Sequence, residues 1–320
     1  MAIDLASEEF AALVQKHKDS RLAIGMHRNA DLDALCSAYA LKSIFPNSVI
    51  VTPDELGRPA RNFASFLNME ILEFRKVKKE QFDGLIIVDC ATYVMMAEAK
   101  GWNVICLIDH HQKSDSEERI IAEFEFSDSA SPSTCQIISN LIEPSAPVAF
   151  ALGIGIISDT ARFKSGNLGT FSSLASMISI SGKPYSEMLF WAEPELEADE
   201  KVRILSAFHH SQVVTYGNYV IATVLINSSE SDASASLSEF ADVAFAASWR
   251  NAEKETRVSA RARKHVPIAL NEIMSDIGAR FAGNGGGHKK AAGANAHEKP
   301  EIVLEECVNA VKDAIDKVKT

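Results

Sequence analysis

Histidine and aspartate recur in the first half of this chain at positions where several could share one metal-binding site. His27 is followed by Asp31 and Asp33, Asp89 ends an apolar run, Asp109 precedes His110 and His111, and Asp159 closes the series. Carboxylates gathered in one place repel one another and are costly to desolvate, so cations must share such a site. Asp31, Asp33, Asp89 and Asp159 bring four negative charges, which two divalent ions would neutralise. Carboxylate and imidazole donors without thiolate suit Mn²⁺ or Mg²⁺ better than structural zinc. Two such ions about 3.5–4 Å apart are a standard arrangement for cleaving phosphate esters.

Each residue alone has an ordinary explanation. An aspartate after a strand is commonly a helix N-cap, and Asp33 or Asp159 could be no more than that. Adjacent histidines also occur by accident: His209-His210 lacks any acidic context and reads as linker. The joint pattern is what points to chemistry, four acidic stations in order on alternating strands.

The elements that must position these groups are short runs rich in Ile and Val. Arg21–His27, Ser48–Thr52, Gly84–Asp89 and Val104–Asp109 read as buried strands of a parallel sheet, with helices on both faces. Asp33–Phe45 and Ser133–Leu141 have the length of crossover helices. Ala149–Ile157 reads as a buried helix leading to Asp159, and Leu5, Phe10, Leu13 and Val14 mark an amphipathic opening helix. In a parallel α/β sheet ligands bind outside the carboxyl ends of the strands, where these acids and histidines fall.

A polar, acidic segment from Glu193 to Lys201 marks a change of domain. Beyond it, Gln212–Thr215 and Tyr219–Ile226 flank a hairpin turn at Tyr216-Gly217-Asn218. Two helices, a strand around Arg257–Arg261, a glycine-rich loop and an amphipathic helix from about Glu301 follow; Ser228–Ser238 reads as an exposed loop. The expected division is a metal-binding domain over 1–192, a linker over 193–212 and a smaller α/β domain over 213–320. A length of 320 residues with 47% hydrophobic and 23% charged residues agrees with two domains, each with its own core.

Composition narrows the function classes. The net charge of −11 argues against a coat for long DNA, whose affinity comes from displacing counterions with a basic surface. Between Arg250 and Lys290, however, nine basic residues stand against four acidic ones. The longest mostly apolar stretch, Pro147–Ile157, is too short for a membrane helix, so no membrane role is expected. Asp4, Glu8 and Glu9 sit where an export signal would be basic and then apolar, and the five scattered cysteines form no CxxC pair. Both features fit a reducing cytoplasm. Cys90, beside Asp89, reads as a small buried hydrophobe rather than a ligand.

The ordered motifs resemble those of the DHH phosphoesterase superfamily. They are His27-x-x-x-Asp31-x-Asp33-Ala34, the strand ending at Asp89, Asp109-His110-His111, and Gly155-Ile156-Ile157-Ser158-Asp159-Thr160-Ala161-Arg162-Phe163. Arg257-Val258-Ser259-Ala260-Arg261 and Gly285-Gly286-Gly287-His288-Lys289-Lys290-Ala291-Ala292-Gly293 are similar to the hallmarks of the DHHA1 domain. The size resembles short members, the nanoRNase/pAp phosphatases and small RecJ-like exonucleases. Ala30 stands where the family usually has Pro, and Cys36 where it usually has Gly; neither is a metal ligand in the family.

The resemblance implies a metal held by His27, Asp31 and Asp89 and a second held by Asp33, Asp89, His110 and Asp159, with Asp89 bridging. It implies that Asp109 orients an adjacent histidine, that His111 stands at the scissile phosphate, and that a water activated by both ions is the nucleophile. Arg261, Gly285, Gly286, Gly287 and His288 would bind substrate in a cleft between the domains. The glycine run lacks the Gly-Lys-Ser/Thr of a P-loop and reads as a flexible loop whose N–H groups approach an anion. The expected activity is hydrolysis of short single-stranded RNA or DNA, or of nucleotides such as pAp. One alternative is cleavage of cyclic or linear dinucleotides. Another is a RecJ-like subunit that mainly binds a replication or repair partner, and a homodimer stays open.

Overall fold

The computed structural model describes residues 2–112, 118–193 and 196–319. The chain divides into two compact units, residues 1–195 and 196–320. Among the described residues no helix is long and apolar enough to cross a membrane.

Unit 1 runs α1 (Ala2–His17), β1 (Leu22–Gly25), α2 (Leu32–Ile44), β2 (Val49–Thr52), α3 (Arg58–Phe66), β3 (Ile71–Glu73), β4 (Gly84–Val88), β5 (Val104–Asp109) and β6 (Phe124–Ser127). It ends with α4 (Thr134–Leu141), α5 (Ala146–Asp159), α6 (Leu168–Ser181) and α7 (Tyr185–Ala192). The six strands form one parallel sheet in the order β3-β2-β1-β4-β5-β6. Strand order therefore reverses between β1 and β4, the point at which parallel α/β sheets take their ligands beyond the carboxyl ends of the strands. The stretches after both strands carry the candidate ligands.

The pleat sends alternate residues to two cores. Leu22, Ile24, Ile86, Val88 and Ile108 pack against the helices; Phe10 and Leu13 of α1 join this core, and the side chain of Leu5 lies outside the described residues. Ala23, Val51, Leu85, Ile87 and Leu107 face the other way. That second face was expected to carry helices too, but its buried cover is Phe74, Cys90, Met96, Ala99 and Ile120, none of them on α1–α7. The β4–β5 connection runs here as a 3₁₀ turn and irregular chain, because residues 89–103 have no apolar stripe of helical period. β3 and β6, not anticipated, are short and only partly buried, so they present little apolar pattern.

Unit 2 runs α8 (Ala198–His209), β7 (Gln212–Tyr216), β8 (Tyr219–Leu225), α9 (Glu230–Leu237), β9 (Val243–Arg250), β10 (Glu255–Ala262), α10 (Leu270–Arg280), β11 (Asn284–His288), β12 (Ala291–Ala296) and α11 (Pro300–Lys319). Its sheet has the order β11-β12-β10-β9-β8-β7, antiparallel except for β8 with β9. Gly217 makes the β7–β8 turn at φ +58°. The interval 193–212 holds α8, whose Ala207 packs with Ala222 of β8 and Leu237 of α9; His209 lies in its last turn. Residues 194 and 195 lie outside the described residues.

Three expectations fail in this unit. Of the two helices expected before Arg257, the second is the strand β9. Ser228–Ser238 is not an exposed loop: it forms α9, whose Ala233, Ser234 and Leu237 are buried. The glycine run is not a flexible loop either. It is the edge strand β11, and a methyl group on Gly285 would stand 1.9 Å from the backbone oxygen of Met274 in α10. Glycine is needed there so that helix and strand backbones can touch.

Candidate metal centre and anion groove

His27 follows β1. Its Nδ1 lies 2.7 Å from the carbonyl oxygen of Arg28, which can only accept, so Nδ1 carries the proton and Nε2 is the free donor. Nε2 stands 3.4 Å from Asp89 Oδ2. Asp31 is the N-cap of α2, its Oδ1 accepting from the backbone N–H of Asp33 and Ala34 at 2.9 and 3.1 Å. The capping role thus falls on Asp31, and neither Asp33 nor Asp159 is an N-cap.

Asp33 lies in the first turn of α2 and is fully buried. The start of α4 clamps it: Ser133 Oγ and the Cys135 N–H donate to Oδ1, each at 2.9 Å, and the Thr134 N–H donates to Oδ2 at 2.6 Å. A methyl group on Gly155 of α5 would meet Cys135 Sγ at 2.3 Å, so glycine there lets α4 and α5 close around this carboxylate. Asp159 is the last residue of α5, where the helix dipole disfavours a negative charge and a cation relieves it.

Asp89 is buried immediately after β4 and takes φ +60°, a left-handed conformation that Asp tolerates better than most residues. Its Oδ1 accepts from Thr134 Oγ1 at 2.9 Å and lies 3.3 Å from His110 Nε2, which in turn is 3.2 Å from Asp159 Oδ2. His111 turns to Asp109, Nδ1 to Oδ1 at 2.7 Å, and its side chain is 58% exposed, so it is the accessible imidazole. Beyond Thr160 the backbone turns left-handed at Ala161, Arg162 and Phe163. That run of non-glycine residues stores strain of about 1–2 kcal/mol each.

Ligand atoms within 4.8 Å of one another are offered by three sets: His27, Asp31 and Asp89; Asp33, His110 and Asp159; and Asp89, His110 and His111. The donor chemistry fits hard divalent ions. Burial pushes the thiols of Cys36 and Cys135 well above their usual range, which keeps thiolate out, and Cys90 is buried with its Sγ 3.4 Å from the Thr92 carbonyl.

Without a cation the carboxylates are held in conflict. Burial, then the charges of Asp89 and Asp159, push Asp33 up to about 8. Burial raises Asp159 to about 6 against the pull of His110, and burial with the charge of Asp89 raises Asp31. Burial works to lower His27 and His110, but hydrogen bonding to Asp89 and its charge win and carry both to about 9. Burial likewise opposes ionisation of Asp89, yet those two histidines hold it below the usual carboxylate range. The hydrogen bond to Asp109 is the main cause that raises His111. Ser133 and Thr134 escaped the sequence reading; the signal was there, Ser-Thr directly before an apolar helix, but it reads first as a cap.

In unit 2, Arg261 and Gly285, Gly286 and Gly287 line an open groove of about 500 Å³ on the sheet. Arg261 Nη2 bonds Ser231 Oγ at 3.0 Å. His288 is exposed at the end of β11, level with Arg261 because both pair with Ala291, but it does not line the groove.

The chain matches the model of the DHH family, N-terminal domain, over residues 21–160 and that of the DHHA1 domain over 217–318. It is 31% identical over 306 residues to uncharacterized protein MJ0988 of Methanocaldococcus jannaschii, covering 88% of this chain and 90% of that one. An exopolyphosphatase-related protein from Bacteroides fragilis shares the fold with a TM-score of 0.74 at 15% identity, over 99% and 98% of the two chains. RecJ in complex with Mn²⁺ from Thermus thermophilus aligns with a TM-score of 0.51 at 13% identity, over 98% of this chain and 55% of that one.

Proposed function

The chain belongs to the DHH family of phosphoesterases, and on that premise we propose that it hydrolyses phosphate esters of short single-stranded oligonucleotides or nucleotides with two divalent ions, Mn²⁺ for preference. The observation that carries this reading is the place of Asp89: Oδ2 faces His27 and Oδ1 faces His110, so one carboxylate belongs to two ligand sets. His27 and Asp31 would complete one set; in the other, His110 links Asp89 to Asp33 and Asp159, with which it forms a further group. Bound there, two cations neutralise the aspartates and lower the pKa of a water toward neutrality.

The chain's own residues do the rest. The Arg28 carbonyl keeps the His27 proton on Nδ1, and the α4 amides hold Asp33 in one rotamer. Asp109 occupies His111 Nδ1, which leaves Nε2 to deliver a proton to the departing oxygen, and the hydrogen bond to Asp109 raises the basicity of this ring. In the groove of unit 2 the Arg261 guanidinium holds a substrate phosphate bidentately.

The test is a Mn²⁺ assay on pAp, a linear dinucleotide, a cyclic dinucleotide, and RNA and DNA of increasing length. Release of mononucleotides from the short linear substrates is expected, with activity abolished by EDTA or by Asp89→Ala. Full activity in EDTA, or an unaffected variant, overturns the metal mechanism. Turnover confined to cyclic dinucleotides overturns the substrate class.

A further inference from the structure

The groove of unit 2 has two ends; the resemblance includes Arg257 in its motif but gives substrate roles only to Arg261, the glycine run and His288. On this face of the sheet α9 covers β9, with Ala244 and Ala246 packed against Ala233 and Leu237, and it reaches the near edge of β10 where Ser234 Oγ meets Ser259 Oγ at 3.0 Å. β12 and β11 lie beyond it. α10 and α11 pack on the opposite face, against Val258, Ala260 and Ala294.

Register sorts the groove residues into cross-strand rows. Ser259, Gly293 and Gly286 make the middle row, a floor almost without side chains, and a methyl group on Gly286 would meet nothing within 4 Å. Arg261, Ala291 and His288 make the row at one end. Arg257, Asn295 and Asn284 make the row at the other, and all three line the groove. Directly opposed residues on neighbouring strands stand about 5 Å apart on the same face, so these three polar groups converge.

The far row is also unspent. Other arginines of this basic region have internal partners: Arg250 holds Glu230, Arg263 holds the Ser238 carbonyl, and Arg280 holds Glu306. Arg257, Asn284 and Asn295 have no side-chain partner among the described residues. Arg257 lies four residues along the strand from Arg261, about 13 Å at 3.3 Å per residue. A lone nucleoside monophosphate brings one phosphate and cannot occupy both arginines, whereas a second nucleotide brings another phosphate and another base. Guanidinium binds phosphate, and asparagine amides pair with base edges.

We propose that Arg257, Asn284 and Asn295 form a second nucleotide station, so that this groove selects a chain of at least two nucleotides over a single one. The proposal rests on the reading of the groove as the substrate site. It deepens that reading by choosing the oligonucleotide over a nucleoside monophosphate.

Calorimetric titration of the metal-free full-length protein with AMP and with 5′-phosphorylated diadenylate separates binding from turnover. For Arg257→Ala the diadenylate affinity falls about tenfold or more while AMP affinity holds, the size of a lost charge-assisted contact. Asn295→Ala shows a smaller loss with the same selectivity, and Arg261→Ala weakens both ligands. Unchanged thermal unfolding shows that each variant is folded. Equal weakening of both ligands by Arg257→Ala, no weakening of either, or no diadenylate binding by the unaltered protein overturns the station. The expected binding pattern without hydrolysis under any divalent metal supports the station and overturns the hydrolase reading.

Discussion

At the scale of single residues, the centre depends as much on hydrogen bonds to the ligands as on the ligands. Thr134 donates Oγ1 to Asp89 and its backbone N–H to Asp33, and so ties together the carboxylates of both proposed ion sites. Thr134→Val keeps the shape and the N–H but loses the hydroxyl. It is expected to cost about 10–100-fold in Mn²⁺ affinity with the fold intact, as loss of an orienting partner does; isothermal titration with Mn²⁺ reads this, and an unchanged affinity refutes it. The perturbed acids and bases also set a pH dependence for the metal-free protein. His27 and His110, raised to about 9, add stability below their unfolded pKa and lose it as pH climbs through 9. Asp33 near 8 and Asp159 near 6 keep protons in the folded state that the unfolded chain has released, so stability again falls with rising pH. The Tm in EDTA should therefore drop from about pH 6 to about pH 9, and a divalent ion should offset the drop because it binds the deprotonated ligands. A Tm in EDTA that rises over this window contradicts the assignment. Aspartates ordered on strand ends were legible in the sequence because one rule, ligands beyond parallel strands, covers them all. The α4 clamp was not, since Ser133-Thr134 lies a hundred residues from Asp33 and only the tertiary fold brings them together.

At the scale of elements, the long buried strands and the long helices announce themselves, and the exceptions share a cause. β9 (Val243–Arg250) is buried over its first six residues and alanine-rich, a composition that also suits a helix. β11 has almost no side chains from which to read a period. Its glycines do different work: Gly285 lies against the α10 backbone, while Gly286 opens onto the groove. Gly285→Ala is expected to destabilise by at least about 1–3 kcal/mol through overpacking. Gly286→Ala is expected to leave stability within about 0.5 kcal/mol while it weakens nucleotide binding. Urea unfolding of the two variants decides this, and equal destabilisation would return β11 to the role of a simple turn.

At the scale of the whole molecule, an acidic chain with one basic groove would bind an anion through few contacts. With Arg257 and Arg261 as the two phosphate partners, log affinity for diadenylate against log salt should have a slope of about −1.4, taking roughly 0.7 per phosphate on a single strand. Fluorescence anisotropy across a salt series measures it. A slope several times steeper requires a basic surface much wider than this groove. The two-domain layout and the local reversal of charge were legible from composition. Which basic residues are free was not, because Arg250, Arg263 and Arg280 look the same in sequence and are spent on internal partners.

The ligand sets also bear on how unit 1 reaches its native state. Their members come from the stretches after β1, β4 and β5 and from the end of α5, so no local segment holds a complete site. Parallel pairings of this separation form late, after the loop-closure entropy has been met. A divalent ion at these sets would therefore have little to grip in the folding transition state, and its stabilisation would belong mainly to the unfolding rate. It would act as a lock on the finished topology rather than as a nucleus for it.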